Sequence, residues 1–289
     1  MTAGALFPRA VNPPQKRTKT MNMFQAILPV IALLAIASPA AAQQAEPLDQ
    51  QDGGAHGTVI AGVGAVPDYE GADGYRIIPL VGGTVRFDNR YIALEGLTAR
   101  ANILNSDRFE FGPVAHLTLG RRRTIDSAAV ANLGRIDDAY EIGAFAATNI
   151  DVGKNGRLRL AVEGVHDVAQ VHNGWLGTAT IGYAQTLGSK WRLSADAAIT
   201  GASGDYARRY FSITPAGAAA SGLTAYNAKG GIKDVSLSLG ASYRLSPRWS
   251  LNGFAGFKRL VGSIADSPVV AREGSANQFS GGLGVGFSF

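Results

Sequence analysis

Apolar and polar positions alternate with a period of two along most of this chain. In residues 279–289 the odd positions are apolar except for one glycine, and the even positions are serine or glycine. The same alternation runs through 235–245, 191–199 and 109–119. A period of two places successive side chains on opposite faces of a β-strand. Helical periodicity is nearly absent, with one short alanine-rich candidate at 215–223. The pattern therefore predicts an all-β chain.

The alternating segments are about ten residues long, which is the length that a tilted strand needs to cross a bilayer. A soluble sandwich also alternates, but three features favour a membrane barrel. The polar faces are rich in serine, glycine, threonine and single charges, as a lumen tolerates. The chain ends inside a strand on an aromatic residue. Aromatic residues stand at the ends of segments, as in interfacial girdles: Tyr75, Trp175, Trp191, Tyr243, Trp249 and Phe289.

Short polar turns alternate with longer segments, as expected for a barrel with short periplasmic turns and long outer loops. A first count gives eleven strands, whereas such barrels have an even number. The parity is restored if 90–104 forms two short strands that turn at Glu95-Gly96. We therefore predict a transmembrane antiparallel up-and-down β-barrel of about 12 strands, with 10 or 14 as alternatives. The predicted strands are 57–66, 75–86, 90–95, 97–104, 108–120, 139–150, 156–165, 174–186, 190–201, 231–244, 248–260 and 278–289.

The N-terminus has the features of a secretory signal peptide. Basic residues at 16–19 precede a twelve-residue apolar run at 26–37, and Ala40-Ala41-Ala42 provides a cleavage site. The run is shorter than the roughly 20 residues of a membrane-spanning helix. We expect residues 1–42 to be a signal peptide cleaved near Ala42, and residues 43–289 to be the barrel domain of the outer membrane. An uncleaved anchor is the alternative.

Composition and charge exclude several classes of function. The formal charge is +5, but residues 1–42 hold four bases and no acid, so the remainder carries 23 bases against 22 acids. That balance leaves no basic stripe for nucleic acid, which we exclude as a partner. The absence of cysteine excludes disulfides, thiolate metal sites and thiol catalysis.

Two groups of arginines are candidate binding residues. Arg121, Arg122 and Arg123 follow a strand end on the predicted outer side. Guanidinium groups suit phosphates, so these three are candidates for contact with lipopolysaccharide, and a solvated charge run is the alternative. The second group faces the lumen and is a candidate constriction of a channel: Arg76, Arg86, Arg157, Arg159 and Arg192.

The lumen charges also have a structural interpretation. Glu163 and Asp196 are predicted to share the lumen with these arginines. Ion pairs among them would brace and plug the barrel. We favour this interpretation, because aqueous channels are clearest in barrels of 16–18 strands.

Nothing in the sequence predicts catalysis or a cofactor. Asp68, Glu70 and Asp73 lie in one loop but lack the spacing of a known calcium motif, so a solvated turn is the simpler interpretation. No nucleophile–base motif accompanies the four histidines. We therefore expect neither a catalytic residue, nor a metal ligand, nor a cofactor.

Four ordered segments resemble one family of Gram-negative outer-membrane proteins. They are 67–80 (PDYEGADGYRIIPL), 136–143 (IDDAYEIG), 210–235 (from YFSITP to GIKDV) and 265–279 (from ADSPVV to GSANQF). Together they resemble the MltA-interacting protein (MipA/OmpV) family over the whole mature chain.

The resemblance implies a non-enzymatic barrel that acts as a scaffold between a lytic transglycosylase and a murein synthase. A barrel in this membrane is also expected to contact outer-membrane lipid and lipopolysaccharide. The terminal Phe289 is similar to the signal that the outer-membrane insertion machinery reads. A small-solute channel remains the alternative function.

Overall fold

The computed structural model describes residues 55–289, and the predicted signal peptide and the polar stretch up to Gly54 lie outside the described residues. The described chain forms a closed antiparallel barrel in which each strand pairs with its neighbours in sequence order. The prediction of twelve strands is confirmed. The strands are β1 (His56–Pro67), β2 (Tyr75–Phe87), β3 (Arg90–Glu95), β4 (Thr98–Asn102), β5 (Phe109–Thr118), β6 (Ala139–Val152), β7 (Gly156–Asp167), β8 (Trp175–Leu187), β9 (Trp191–Ala202), β10 (Gly231–Arg244), β11 (Trp249–Leu260) and β12 (Asn277–Ser288).

The barrel closes between its first and last strands. β1 and β12 pair from Thr58 with Ser288 up to Ala65 with Gly281. Gly57 and Phe289 exchange two backbone hydrogen bonds of 3.0 Å just below this ladder. Closure satisfies the strand edges, which is necessary in hydrocarbon because each unpaired backbone group costs several kcal/mol.

The alternation read from the sequence sorts side chains between lipid and lumen. On β12 the outward side chains include Leu283 and Val285, which are exposed, whereas Gly284 and Gly286 face the interior and are buried. Aromatic side chains gather at the periplasmic end of the wall. There Trp191 packs on Tyr243 with ring centroids 4.7 Å apart, an arrangement typical of an interfacial girdle.

The β3–β4 hairpin is much shorter than the rest of the wall. The predicted turn at Glu95-Gly96 is confirmed, and Gly96 adopts a φ of 66°, a conformation that favours glycine. β3 pairs with β2 only from Gly82 to Phe87. On that edge, among the described residues, β2 has no ladder partner over residues 75–81. Pro79, which cannot donate to a ladder, lies in this unpaired stretch.

The long loops fold into a cap over one end of the barrel. By the rule that long loops of such barrels face outward, the capped end is the outer end. The predicted helical segment at 215–223 is confirmed as one of five short helices in the described part of the chain. It begins with Pro215 at its first turn and ends at the left-handed Gly222. The helices are α1 (Ala128–Ala131), α2 (Gly204–Phe211), α3 (Pro215–Ser221), α4 (Gly262–Ala265) and α5 (Pro268–Ala271).

The cap has a hydrophobic core of its own. Phe211, Leu260 and Ile264 are at most 2% exposed. They belong to one cluster of buried apolar side chains from the loops and from the outer ends of β9 and β11. A second cluster joins the loop after β1 to α1 and α5 and includes Tyr69, Val130 and Val269. Buried apolar contacts of this kind hold the loops in place over the lumen.

Among residues 55–289, the structure contains no helix with the length and hydropathy that crossing a membrane requires.

Candidate functional site

Charged side chains from five strands meet in the middle of the lumen. We call this set the central ionic layer, and each member occupies an inward position of its strand. Inward placement follows from the period of two, so a charge at such a position is carried into the barrel. The members are Glu95 on β3, Arg100 on β4, Glu110 on β5, Arg159 and Glu163 on β7, and Asp196 on β9.

The pairing of Arg159 with Glu110 is the tightest contact of the layer. Nε and one terminal nitrogen of Arg159 donate to the same Glu110 oxygen over 3.2 and 2.8 Å. Tyr91 donates its hydroxyl to that oxygen over 2.7 Å, and Asn149 donates its amide to the other oxygen over 2.7 Å. The carboxylate is therefore saturated with donors, which is the condition for a stable buried charge.

Arg100 on β4 links Glu95 on β3 to Glu163 on β7. Its Nε lies 3.1 Å from Glu95 and a terminal nitrogen lies 3.5 Å from Glu163. The guanidinium also stacks 5.2 Å from the ring centroid of Phe145. His116 completes the contact, with Nε2 at 3.3 Å from the second oxygen of Glu163.

Asp196 has a buried carboxylate oxygen that no donor satisfies. The side chain is 8% exposed, and its Oδ2 has no hydrogen-bond partner within the described part of the chain. Oε2 of Glu95 also lacks a hydrogen bond, but it lies 3.1 Å from Nε of Arg100. Oδ1 of Asp196 lies against the backbone of Gly182 on the neighbouring strand, where a side chain would not fit. The carboxylate lines a cavity, so the lumen contains a buried acceptor with unused capacity.

The layer separates two cavities. The outer cavity is about 400 Å³ and extends from the layer to the underside of the cap at Glu70 and Tyr206. The periplasmic cavity is about 70 Å³ and is lined by Tyr91, Glu110 and Asn149 among others. Arg159 lines both cavities, so it stands at the boundary between them.

The five candidate constriction arginines all line the lumen, but they do not form one ring. Arg76 lines the outer cavity. Arg86, Arg157 and Arg192 line the periplasmic cavity, and Arg159 lies between the two. Arg157 pairs with the exposed Asp151 at the periplasmic rim over 3.3 Å. The sequence thus predicts which side chains face the lumen, whereas their heights depend on the register of the strands.

A second ionic cluster joins the cap to the outer end of the barrel. Lys233 on β10 contacts Glu70 and lies 2.8 Å from Asp234. Tyr206 of α2 donates its hydroxyl to the other oxygen of Glu70 over 2.7 Å. Burial alone would raise the pKa of Glu70, but the charges of Lys233 and Lys258 outweigh it and lower the pKa from 4.5 to about 2. Glu70 is therefore ionised at neutral pH and ties its loop to the wall.

A buried histidine–carboxylate contact joins the loop between β7 and β8 to β6 beneath the cap. His172 Nε2 lies 2.9 Å from Glu141, and both side chains are fully buried. Thr118 donates to the second oxygen of Glu141 over 3.0 Å. The His172 ring packs against Tyr206, with ring centroids 5.0 Å apart. These contacts explain two histidines on structural grounds, since His116 and His172 each meet a carboxylate of the wall.

The three arginines predicted to contact lipopolysaccharide differ in their exposure to solvent. Arg121 is 6% exposed, and its Nε donates to the carbonyl of Gly134 over 3.1 Å, so it supports the loop from inside. Arg122 and Arg123 are exposed. Of the three, only Arg122 and Arg123 therefore have exposed side chains.

The carboxylate loop at 68–73 is occupied by internal contacts. Glu70 is held by Lys233 and Tyr206, and Asp68 closes the loop through a backbone hydrogen bond to Gly74. Within residues 55–289, no group of three or more His, Asp or Glu side chains is arranged to hold a metal ion. The sequence reasoning missed Glu95, Arg100 and Lys233, although a single charge at an inward strand position is a signal that could have found them.

Taken together, the closed barrel, the apolar outer belt and the charged lumen define an outer-membrane β-barrel protein. The chain belongs to the family described as MltA-interacting protein MipA, whose model matches residues 59–289. A search of the curated proteins found no match to this chain.

Solved structures of other outer-membrane barrels have a similar fold. An outer membrane channel of the COG4313 group from Pseudomonas putida F1 aligns at 14% identity with a TM-score of 0.43, covering 84% of this chain and all of the other. The KdgM porin aligns at 11% identity and a TM-score of 0.39, over 80% of this chain and 99% of the other. OmpT of Vibrio cholerae aligns at 9% identity and a TM-score of 0.37, over 85% of this chain and all of the other. At these identities the likeness concerns the fold alone.

Proposed function

We propose that this protein is a non-enzymatic scaffold of the outer membrane that presents its periplasmic turns to enzymes of murein turnover. One observation carries the proposal. The cap covers the outer end of the barrel with a buried apolar core, and the central ionic layer fills part of the lumen beneath it with paired charges from β3, β4, β5 and β7. A lumen obstructed at two levels favours a role at the surface of the barrel over a role in transport.

The periplasmic rim offers a surface of suitable charge. Each of the five periplasmic turns within residues 55–289 has an exposed base in it or directly beside it, and the exposed acids among the described residues of this rim are Asp88, Asp107 and Asp151. The excess of bases suits an acidic patch on a partner, since complementary charge speeds and orients association. The bases are Arg90, Arg108, Lys154, Lys190 and Arg248.

The identity of the partner rests on the family. Its description names an interaction with MltA, and the resemblance of the sequence to that family implies a lytic transglycosylase together with a murein synthase. Short turns provide little area each, so docking would use several turns at once. Stable complexes bury roughly 800 Å² per partner.

A pull-down in mild detergent tests the scaffold role. The mature protein should retain a purified lytic transglycosylase, and a Lys154→Glu, Lys190→Glu, Arg248→Glu triple variant should lose most of that binding. A matched control reverses three exposed bases of the outer loops, Arg123, Lys229 and Arg272, and should bind as the parent does. Absence of binding by the parent protein, or equal loss in both variants, would exclude the proposed surface.

A gated small-solute channel is the second candidate. It is favoured by the position of Arg159, which lines both cavities, so that movement of this one side chain would join them. The arginines of the periplasmic cavity would then select anions. Conduction also requires an opening through the cap.

Three further expectations belong to the same proposal. The signal peptide of residues 1–42 would be removed near Ala42 on export. Phe289, which ends the chain beside β1, would be read by the insertion machinery. Arg122 and Arg123 would contact phosphates of lipopolysaccharide, because both are exposed on the outer side.

A further inference from the structure

The short β3–β4 hairpin leaves a gap in the outer half of the barrel wall. The β2–β3 ladder stops at the pair Gly82–Glu95, and the β4–β5 ladder stops at Thr98–His116. Above that level the neighbours across the gap are β2 and β5. With strands about 4.8 Å apart, two missing strands separate these neighbours by about 14 Å at the level of the turn. We call this opening the lateral gap.

The outer cavity reaches the lateral gap. Its lining includes inward side chains such as His116 and Thr118, and also Leu97, Leu117 and Leu119, which border the gap at the hairpin turn and at the end of β5. On the other edge, the outward Ile77 of β2 is 77% exposed. The border of the gap is therefore apolar and lies in the lipid-facing wall.

Carboxylates and guanidinium groups of the central ionic layer meet at the inner end of the outer cavity, where Glu163 and Asp196 line it beside Arg100 and Arg159. The layer as a whole contains four carboxylates and two guanidinium groups. Three of the carboxylates, Glu95, Glu110 and Glu163, are held by Arg100 or Arg159. The fourth is Asp196, whose Oδ2 is buried and, within the described residues, lacks a hydrogen-bond partner. A buried carboxylate oxygen without a donor is costly, and a cationic donor would satisfy it.

We propose that the lateral gap admits single-chain amphiphiles with a primary amine head from the outer leaflet into the outer cavity. The ammonium group would reach Asp196, and the hydrocarbon chain would lie along the leucines that border the gap. Three independent features agree on this ligand class: an entrance at hydrocarbon depth, an apolar border and, at the inner end, a buried carboxylate oxygen of Asp196 that lacks a hydrogen-bond donor. The inference does not depend on the scaffold role.

Photo-cross-linking in lipid nanodiscs tests the inference. The probe is a long-chain primary alkylamine with a diazirine in its chain, and the labelled residues are mapped by mass spectrometry. We expect labels on inward residues of the outer cavity, such as Thr180 and Ser236. An unlabelled alkylamine should compete, and a carboxylic acid of equal chain length should compete at least tenfold less well.

Two variants separate the site from the surrounding lipid. Asp196→Asn keeps the shape of the side chain and should weaken labelling of the cavity at least tenfold, whereas Asp151→Asn, at the exposed periplasmic rim, should leave it unchanged. Ser280→Phe should fill the cavity and abolish inward labels, with Leu283→Phe on the lipid face as its control. Labels confined to outward residues, or an Asp196→Asn variant that binds as the parent does, would overturn the proposal.

Discussion

Arg159 on β7 reaches past β6 to place two of its nitrogens on a single oxygen of Glu110 on β5. Side chains on β5 and β7 are two strand spacings apart, so the contact braces the inner wall across a strand. It also places both charges at the boundary between the two cavities. A closed lumen requires this contact between Arg159 and Glu110 and the cap above it.

Removal of Glu110 should destabilise the barrel strongly. Glu110→Ala leaves Arg159 buried without its main partner, and uncompensated buried charges cost about 3–5 kcal/mol. Urea unfolding, followed by tryptophan fluorescence in lipid vesicles, measures the change in the free energy of unfolding.

Asp151 provides the control for that measurement. It pairs with Arg157 at the periplasmic rim, but its side chain is 78% exposed, and exposed pairs contribute about 1 kcal/mol or less. Equal effects of Asp151→Ala and Glu110→Ala would contradict the bracing role of the central ionic layer.

The cap should lose stability in acid through Glu70. The folded pKa is lowered from 4.5 to about 2, with burial opposed and outweighed by the lysines Lys233 and Lys258. A lowered carboxylate pKa contributes stability that is present above the unfolded pKa and is lost as the pH falls through the folded one. The window for Glu70 therefore lies between about pH 4.5 and pH 2, and the contribution is on the order of 3 kcal/mol.

The variant Glu70→Gln should be less stable than the parent at pH 7 and should show a flatter loss of stability between pH 4.5 and 2. Denaturant unfolding across that range provides the comparison. Asp205→Asn, at an exposed pair with Arg208 in α2, is the control and should keep the parent profile. An unchanged acid profile in Glu70→Gln would show that the cap is held by other contacts.

Gly71 should be intolerant of a side chain. Its φ is +97°, and an added Cβ would lie 2.7 Å from a methyl carbon of Val270 in α5. Gly71→Ala should therefore lower the free energy of opening the cap by more than the roughly 1–2 kcal/mol that the left-handed conformation alone costs an alanine. Gly222, with a φ of +74° and no neighbour within 4 Å of the added atom, isolates that conformational cost.

Limited trypsin digestion reads out this difference. Cleavage at the exposed Arg209 of α2 reports opening of the cap. The rate should rise about tenfold or more in Gly71→Ala and much less in Gly222→Ala. Similar rates in both variants would mean that the contact with Val270 does not hold the cap.

The sequence predicts the wall of the barrel well, because a strand in a membrane must alternate lipid-facing and lumen-facing side chains. The parity rule even predicted the hairpin at Glu95-Gly96, which the structure confirms. It did not predict the consequence of that hairpin. β3 and β4 have six and five residues, and only the register shows that the wall beside residues 75–81 of β2 is left without a partner.

The site was harder to predict because its contacts join distant parts of the chain. Lys233 meets Glu70 across 163 positions, and Arg100 meets Glu163 across 63. Periodicity shows that such side chains face inward, but their height in the barrel follows from the shear of the strands. The burial of Arg121 has the same origin, since its partner is the carbonyl of Gly134 in a folded loop.

Single-channel recording tests the closed lumen most directly. The mature protein, residues 43–289, is refolded and inserted into a planar bilayer, with folding confirmed by heat-modifiable electrophoretic mobility. We expect a silent bilayer, because the cap covers the outer end of the lumen and the paired charges of the central ionic layer obstruct it beneath. Stable current steps that scale with salt and disappear on substitution of Arg86 or Arg159 would contradict this expectation and establish a channel.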